Sequence, residues 1–317
     1  MKTIIKKRSL IVLLICCQMA LSATQIFTID LSHSDDNGAN RHRNKRPKVG
    51  LVLGGGGAKG AAEVGALKVI EEAGVPIDYI AGTSIGSILG GLYSLGYRSA
   101  DLENLFLQQE WIDLFAGEMI EGGKIEALFD SIACRSNPNI CLADSLSFDD
   151  LPIPYRCVAV DLKRMEEVVL SNGKLSRAMR ASMAIPVALR SVEIDGKKLV
   201  DGGMLNNLPV DVVRQMGADV VIAIDLQQNK HKSKSFSLKD ELGIGGILDW
   251  LISRPDWQKY NDNCDDADIY INPPLNGYSV TDFSPRHIAD MIALGEKEAR
   301  KHFKELQNYH KHCKKNK

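Results

Sequence analysis

Short apolar runs alternate with helix-like stretches between residues 49 and 226. Six runs have the length and apolar character of buried strands: Val49–Leu53, 79–81, Tyr155–Asp161, 167–170, 199–200 and 219–225. Three stretches carry apolar residues at helical spacing: 59–73, 85–95 and 210–216. Strands that alternate with helices in this way predict an α/β fold, with a mainly parallel central sheet covered on both faces. Such sheets carry their functional sites beyond the carboxyl ends of the strands.

The first 22 residues have the pattern of a secretory signal peptide. Four Lys and Arg residues occur among the first eight, residues 10–20 are almost wholly apolar, and Ala20 and Ser22 are small residues at the positions that signal peptidase reads. This pattern predicts an exported protein, in the periplasm or the medium. The apolar run is short for a membrane-spanning helix, which needs about 20 residues, so an uncleaved N-terminal membrane anchor is the alternative.

The rest of the chain divides into a linker and a compact domain. Residues 23–47 are polar with a basic end, which is typical of a flexible linker. The domain is predicted over 48–310, with the sequence motifs in 48–226 and a helical C-terminal part in 240–310. The net charge of the 317 residues is −1. Since no stripe of Arg and aromatic residues accompanies it, the composition gives no support for a nucleic-acid partner.

The first of two glycine-rich turns reads GGGGAKG over residues 54–60 and leads into a predicted helix. Backbone N–H groups at such a turn can converge on a negative charge, which the helix dipole also favours. Gly55, Gly57 and Gly60 also satisfy the G-x-G-x-x-G fingerprint of dinucleotide-binding proteins, so a nucleotide-binding protein is one alternative. That alternative needs an acidic residue at the end of the next strand, whereas Asp78 precedes the strand 79–81.

The second turn reads GTSIG over residues 82–86 and has the G-x-S-x-G spacing of a nucleophile elbow. Such a turn exposes a serine between a strand and a helix, here Ser84. The small residues Gly82 and Gly86 allow the strand and the helix to approach closely. The alternative is a serine that caps an ordinary helix, which is common.

A serine nucleophile needs a base, and the chain offers two candidates. Of the seven histidines, His287 stands in a structured-looking stretch at a predicted helix start, so a Ser-His-Asp hydrolase that uses His287 is a second alternative. Asp201 directly follows the run 199–200 and precedes Gly202 and Gly203, so it ends a strand at a tight turn. Aspartate is also frequent in turns that have no catalytic role.

Four motifs in this order resemble the patatin-like phospholipase family, and most of all its bacterial members. They are GGGAKG at 55–60, GTSIG at 82–86, Arg180-Ala181-Ser182 with Pro186, and Asp201-Gly202-Gly203. The resemblance implies a three-layer α/β/α sandwich. It assigns the nucleophile to Ser84, the base of a Ser-Asp dyad to Asp201, the oxyanion hole to Gly55, Gly56 and Gly57, and supporting positions to Lys59, Gly60, Gly82, Gly86 and Gly202. Gly54 stands where plant members have Asp.

The family resemblance also implies an activity. A serine esterase or lipid acyl hydrolase would cleave acyl esters of phospholipids or lysophospholipids through an acyl-enzyme, without a metal or another cofactor. Asp201 would accept the Ser84 proton directly. Its reference pKa of about 3.9 makes a carboxylate a weak base for a hydroxyl, and partial burial would raise that pKa.

Two segments, one apolar and one amphipathic, suggest peripheral contact with a membrane. Residues 242–252 are unusually apolar and are followed by Trp257 and Tyr260, which suits a lid or an interfacial patch; an ordinary core helix is the alternative. Residues 284–306 predict an amphipathic helix that ends in a basic tail, which could touch anionic lipid; a simply solvated tail is the alternative.

Cysteine positions predict one disulfide in an oxidising compartment. Cys134 and Cys141 flank a turn-rich loop and are the best candidates for a pair. Cys157 lies within a strand-like run and is predicted to be a buried thiol. No Cys and His spacing suggests a metal site.

Overall fold

The computed structural model describes residues 46–120, 123–136, 146–186, 188–228 and 257–315. Several sequence predictions concern residues outside these ranges: the signal peptide, the linker up to residue 45, Cys141 and the apolar segment 242–252.

A mixed, mostly parallel sheet forms the centre of the fold. Its parallel part contains, in spatial order, β10 (Ile269–Ile271), β9 (Val220–Ile224), β1 (Val49–Leu53), β2 (Tyr79–Thr83) and β4 (Tyr155–Asp161). Three further strands are antiparallel to their neighbours: β5 (Glu166–Leu170), β7 (Val192–Ile194) and β8 (Lys197–Asp201). A separate two-stranded ladder joins β3 (Leu146–Ser147) to β6 (Asn172–Gly173).

Helices connect and surround these strands. In chain order they are α1 (Ala61–Ala73), α2 (Ile85–Ser94), α3 (Ser99–Gln108), α4 (Trp111–Ile120), α5 (Lys124–Ser136), α6 (Leu175–Ser182), α7 (Val210–Gln215), α8 (Trp257–Asp266), α9 (Pro285–Arg300) and α10 (Phe303–Lys315). Two short 3₁₀ turns, Gly57–Gly60 and Gly202–Met204, lie before α1 and after β8.

The two faces of the sheet bury different side chains because successive residues of a strand point to opposite sides. Leu51 and Leu53 of β1 pack into the larger apolar cluster, together with residues of α1, α2 and α9. Val52, between them, packs into a second cluster with residues of α7 and α8, among them Val213 and Tyr260. Helices therefore cover both faces, and the predicted α/β class with a mainly parallel sheet is confirmed.

Strands β2 and β8 lie end to end along one edge of β4. Residues 155–158 of β4 pair with β2, residues 159–161 pair with β8, and β5 pairs along residues 157–161. A strand has only two edges, so β5 occupies one of them and β2 and β8 share the other. Thr83, the last residue of β2, is opposite Val158, and Asp201, the last residue of β8, is opposite Ala159. The carboxyl ends of these two strands therefore meet.

Helices α1 and α9 approach so closely that their backbones are in contact. A Cβ atom built on Gly295 would lie 1.8 Å from the Ala62 carbonyl oxygen, and one on Gly65 would lie 1.9 Å from the Ile292 carbonyl oxygen. Glycine at both positions is therefore required by the packing. The predicted amphipathic helix 284–306 corresponds to α9 and the start of α10, and the apolar side of α9 is buried against α1.

Replacing Gly295 with Ala tests this helix contact, because helix propensity and packing predict opposite signs. The higher helix propensity of alanine would by itself stabilise α9 by about 1 kcal/mol. The backbone clash predicts instead a loss of about 1–3 kcal/mol in the free energy of unfolding, measured by denaturant titration. Gly277→Ala is the matched control, since a Cβ there meets no atom within 4 Å. Equal stability of the two variants would contradict the close packing.

Candidate active site

Ser84 occupies a sharp turn between β2 and α2. Its φ is 54°, in the left-handed region that L residues seldom adopt. A Cβ on Gly82 would lie 2.3 Å from the Gly86 carbonyl oxygen, and one on Gly86 would lie 2.3 Å from the Leu53 carbonyl oxygen. The glycines on either side of Ser84 are therefore required for the close approach of strand and helix, which is the geometry of a nucleophile elbow.

A second serine holds this turn in place. The Ser84 backbone N–H donates to Ser182 Oγ at 3.0 Å, and the Ser182 hydroxyl donates to the Val158 carbonyl oxygen at 2.6 Å. Both hydrogen bonds are buried and tie the turn to α6 and β4. Ser182 belongs to one of the four sequence motifs, but the sequence indicated no role for it.

Asp201 meets Ser84 at the junction of β8 and β2. The Ser84 hydroxyl donates to Asp201 Oδ2 at 2.7 Å, and the Gly203 N–H donates to Oδ1 at 2.8 Å. Ser84 is 4% exposed and Asp201 is 3% exposed. A Cβ on Gly202 would lie 2.2 Å from the Val158 carbonyl oxygen, so glycine is needed where β8 ends against β4. The structure thus brings the two predicted dyad residues into direct contact.

The surroundings of Asp201 make its carboxylate a stronger base than an exposed aspartate. Burial raises the pKa of Asp201 from 3.8 to about 6, although the hydrogen bonds from the Ser84 hydroxyl and the Gly203 N–H act in the opposite direction. The charged form is disfavoured because the protein interior solvates it less well than water does. Asp201 is consequently ionised at neutral pH and still able to accept a proton.

The glycine-rich turn lies beside Ser84, and its N–H groups have different partners. Gly54 and Gly55 donate to the carbonyl oxygens of Ile224 and Asn207, both at 3.1 Å. Gly56 and Gly57, by contrast, have no acceptor for their N–H groups among the described residues. Two of the three predicted oxyanion-hole glycines therefore offer a free donor, whereas the Gly55 N–H is already bound.

The end of the glycine-rich turn contacts the start of α2. Lys59 lies in the 3₁₀ turn Gly57–Gly60 with a half-buried side chain. A Cβ on Gly60 would lie 2.5 Å from Ile85 Cγ1. Gly60 therefore brings the turn close to the residue that follows Ser84.

An apolar cavity of about 220 Å³ opens next to Ser84. Gly57 and Ser84 line one wall, and most of the remaining wall is aliphatic or aromatic, with Ile88, Met183, Leu189, Val280 and Phe283 among its residues. Phe283 packs against Trp111 and Phe115, with ring centroids 5.7 and 5.4 Å away. An uncharged, elongated group such as a hydrocarbon chain would fit this lining.

The geometry argues against both alternatives. His287 is only partly exposed, and its Nδ1 lies 3.7 Å from Asp282 Oδ1; within the described ranges no histidine hydrogen-bonds Ser84 or Asp201. Asp78 stands at the amino end of β2, where it binds Arg46 and Lys48. It is therefore at the edge of the sheet opposite to the glycine-rich turn, and cannot contact a ribose bound there.

Other sequence predictions have varied outcomes. Cys157 is a buried free thiol, as predicted. Cys134 is disulfide-bonded, while Cys141, its predicted partner, lies outside the described residues.

Tyr260 is buried and donates its hydroxyl proton to Asp225, so this residue belongs to the core of the protein. No helix in the described part of the chain has both the length and the apolar composition that spanning a bilayer requires.

The fold and the site together define an α/β protein with a serine at a strand-to-helix elbow and an aspartate as its direct partner. A family model described as patatin-like phospholipase matches residues 51–214, just over half of the chain. The chain belongs to the patatin-like phospholipase family.

Two curated relatives and one solved structure illustrate the similarity. Lysophospholipase nte1 of Emericella nidulans is 36% identical over 186 residues, which cover 56% of this chain and 12% of the relative. Patatin-like phospholipase domain-containing protein 6 of Homo sapiens is 39% identical over 184 residues, which cover 56% of this chain and 13% of the relative. The chain thus spans about an eighth of the length of these relatives. Both are eukaryotic, so they give no support to the bacterial placement.

One similar solved structure is VipD from Legionella pneumophila. The TM-score is 0.58 at 15% identity, and the match covers 84% of this chain and 67% of VipD. At this low identity the likeness concerns the fold alone.

The raised pKa of Asp201 predicts a specific dependence of stability on pH. Between pH 3.8 and 6 the folded state binds the Asp201 proton more tightly than the unfolded state, so this residue lowers stability as the pH rises. Asp201→Asn removes that dependence. From pH 4 to pH 7 the variant should gain up to about 3 kcal/mol relative to the wild type, measured by denaturant unfolding at each pH. A difference that stays constant with pH would contradict the raised pKa.

Proposed function

We propose that this protein is a lipid acyl hydrolase that cleaves acyl esters of phospholipids or lysophospholipids through an acyl-enzyme on Ser84. The observation that carries the proposal is the 2.7 Å hydrogen bond from Ser84 Oγ to Asp201 Oδ2 beside an apolar cavity. Family membership and the names of the curated relatives support the same class of reaction.

The first half-reaction transfers the acyl group to the enzyme. As Ser84 Oγ attacks the ester carbonyl, its proton passes to Asp201 Oδ2, and the carbonyl oxygen becomes an oxyanion. The N–H groups of Gly56 and Gly57 are the proposed donors to this oxyanion. The 3₁₀ turn that begins at Gly57 helps to orient them. When the intermediate collapses, protonated Asp201 returns its proton to the leaving alcohol, and the acyl group stays on Ser84.

The second half-reaction releases the fatty acid. A water molecule attacks the acyl-Ser84 carbonyl while Asp201 accepts a water proton, and a second oxyanion forms at the same donors. Collapse of this intermediate returns a proton to Ser84 Oγ and frees the carboxylic acid. Asp201 accepts and then returns a proton in each half-reaction, so the mechanism needs no histidine.

The cavity beside Ser84 is the proposed site for the acyl chain. Its walls are apolar, and Ser84 lies in one of them, so a chain that fills the cavity brings its ester carbonyl to the nucleophile. Burial of the chain also removes water from around the reacting atoms, which strengthens the hydrogen bonds that stabilise the oxyanion.

Contact with a lipid surface is part of the proposal. The tip of the β4–β5 hairpin exposes Leu162 and Met165, which are 37% and 49% exposed, next to Lys163 and Arg164. Apolar side chains flanked by cations suit the surface of an anionic bilayer. Because β4 extends past the level of Ser84, this tip lies at the same edge of the sheet as the site.

Substitutions in the dyad test the proposed mechanism. Ser84→Ala should lower the rate of fatty-acid release from lysophosphatidylcholine by at least about 10⁴-fold, since it removes the nucleophile. Asp201→Asn should lower it by about 10²–10⁴-fold, the range for a general base. His287→Ala, the control, should leave the rate within about twofold. Hydrolysis by Ser84→Ala at the wild-type rate excludes the dyad, and a large loss in His287→Ala restores the triad.

The export signal is a further part of the proposal, together with the bacterial origin that the motifs suggest. When the full chain is produced in a bacterial host, mass spectrometry should find a mature protein outside the cytoplasm that begins at Ala23. A control with Leu13→Arg and Leu14→Arg breaks the apolar run and should remain uncleaved in the cytoplasm. Wild-type protein that keeps residues 1–22 in the membrane fraction indicates the anchor instead, and uncleaved protein in the cytoplasm excludes both.

A further inference from the structure

The carbonyl oxygen of Gly55 is held by two buried side-chain amides. Asn207 Nδ2 donates to it at 3.0 Å and Gln227 Nε2 donates to it at 3.2 Å. Asn207 is 1% exposed and Gln227 is 6% exposed. Two donors on one backbone oxygen fix the orientation of the peptide that joins Gly55 to Gly56.

This peptide also carries the Gly56 N–H. In a planar trans peptide the C=O and the N–H point in opposite directions. Holding the Gly55 oxygen against Asn207 and Gln227 therefore turns the Gly56 N–H away from them. The Gly56 N–H has no acceptor among the described residues, and a Cβ on Gly55 would lie 3.2 Å from Ser84 Cβ, so the peptide is next to the nucleophile.

Asn207 both accepts a hydrogen bond from Gly55 and donates one to it, while its side-chain oxygen Oδ1 stays unpaired among the described residues. The Gly55 N–H donates to the Asn207 backbone oxygen, while Asn207 Nδ2 donates to Gly55. Asn207 Oδ1 is buried, and no described residue donates a hydrogen bond to it. An unpaired buried polar atom destabilises the folded protein, and an apolar side chain at this position would avoid that penalty. A flipped amide would place Oδ1 against the Gly55 oxygen, so the observed orientation is the favourable one.

Gln227 is itself fixed by a buried network at the end of β9. Its backbone N–H donates to Asp225 Oδ1, and its backbone oxygen accepts from Asn272 Nδ2. Tyr260 and Tyr270 both donate to the other Asp225 oxygen, Oδ2. The side chain of Gln227 therefore approaches Gly55 from a rigid support on strands β9 and β10.

The geometry points to Asn207 and Gln227 as positioning residues that orient the Gly56 N–H toward the oxyanion. This inference rests on the proposed function, because it assigns the two amides to that reaction. Neither side chain touches substrate. The two amides stabilise only the transition state, because the oxyanion exists only there. Their removal should therefore lower kcat and leave KM unchanged.

Two matched pairs of variants test the inference. Gln227→Met removes the amide donor at nearly constant length. Gln228→Met does the same to a neighbour whose Nε2 donates to Asn272 Oδ1, to the Pro273 carbonyl oxygen and, at 3.4 Å, to the Gln227 carbonyl oxygen, but does not contact Gly55. Asn207→Ala truncates one buried asparagine, and Asn206→Ala truncates another, whose Nδ2 binds Glu167 and Asp211.

The expected result is a loss of kcat in one member of each pair. Gln227→Met and Asn207→Ala should each lower kcat about tenfold with KM unchanged, and the double variant should approach the 10²–10³-fold loss typical of a missing oxyanion donor. The two control variants should retain kcat within about twofold once their folded fraction is confirmed by thermal melting.

Binding of two inhibitors separates positioning from general loss of structure. A long-chain trifluoromethyl ketone forms a tetrahedral oxyanion on a reactive serine, so its affinity should fall by the same factor as kcat/KM. A fatty alcohol of equal chain length has no oxyanion, and its affinity should not change. Equal losses for both ligands would overturn the positioning role.

The remaining outcomes distinguish the two proposals. If the wild type hydrolyses the ester and Ser84→Ala does not, but Gln227→Met and Asn207→Ala behave as their controls, the positioning role is excluded and the proposed function stands. If the wild type neither hydrolyses esters nor forms the ketone adduct, both proposals are excluded.

Discussion

The pairing of β4 is the constraint on which the site depends. One edge of this strand is shared by β2 and β8, which run in opposite directions and stop at neighbouring residues of β4. Ser84 and Asp201 follow or end these strands, so the register of the sheet brings their side chains to 2.7 Å. A shift of β8 by one residue would turn the Asp201 side chain to the opposite face of the sheet. Glycine at position 202 allows the required contact with β4.

The buried position of this contact determines its chemistry. Removal from water raises the pKa of Asp201 to about 6, so the same burial that brings the carboxylate against Ser84 also makes it a better base. A negative charge that then develops on a substrate oxygen needs donors whose direction is already set. The Gly56 and Gly57 N–H groups have no acceptor in the part of the chain that the structure describes, while their neighbours are bound to β9, to Asn207 and to the loop that carries Val280. The bound neighbours thus hold the Gly56 and Gly57 N–H groups in a fixed direction.

Much of this arrangement could be predicted from local patterns. The alternation of strands and helices indicated the fold class, and the glycines around Ser84 indicated the elbow, because both features depend on residues close together in the chain. The antiparallel direction of β8 could not be predicted so directly, since it follows from pairing with residues some forty positions away. The role of Gln227 could not be predicted either, because no sequence motif identifies a side-chain amide that binds a backbone carbonyl 172 positions away.

Local stretches of sequence specify the turns: which residues can adopt a left-handed φ, which positions are small enough for close approach, and which strands are buried. These properties belong to the backbone and side chains of short segments, so a short segment is enough to show them. The assembled fold then selects which turns meet. It joined Ser84 to Asp201, occupied the Gly55 N–H, and left the Gly56 and Gly57 N–H groups without an acceptor in the described ranges, because hydrogen bonds between distant segments depend on how the sheet is assembled.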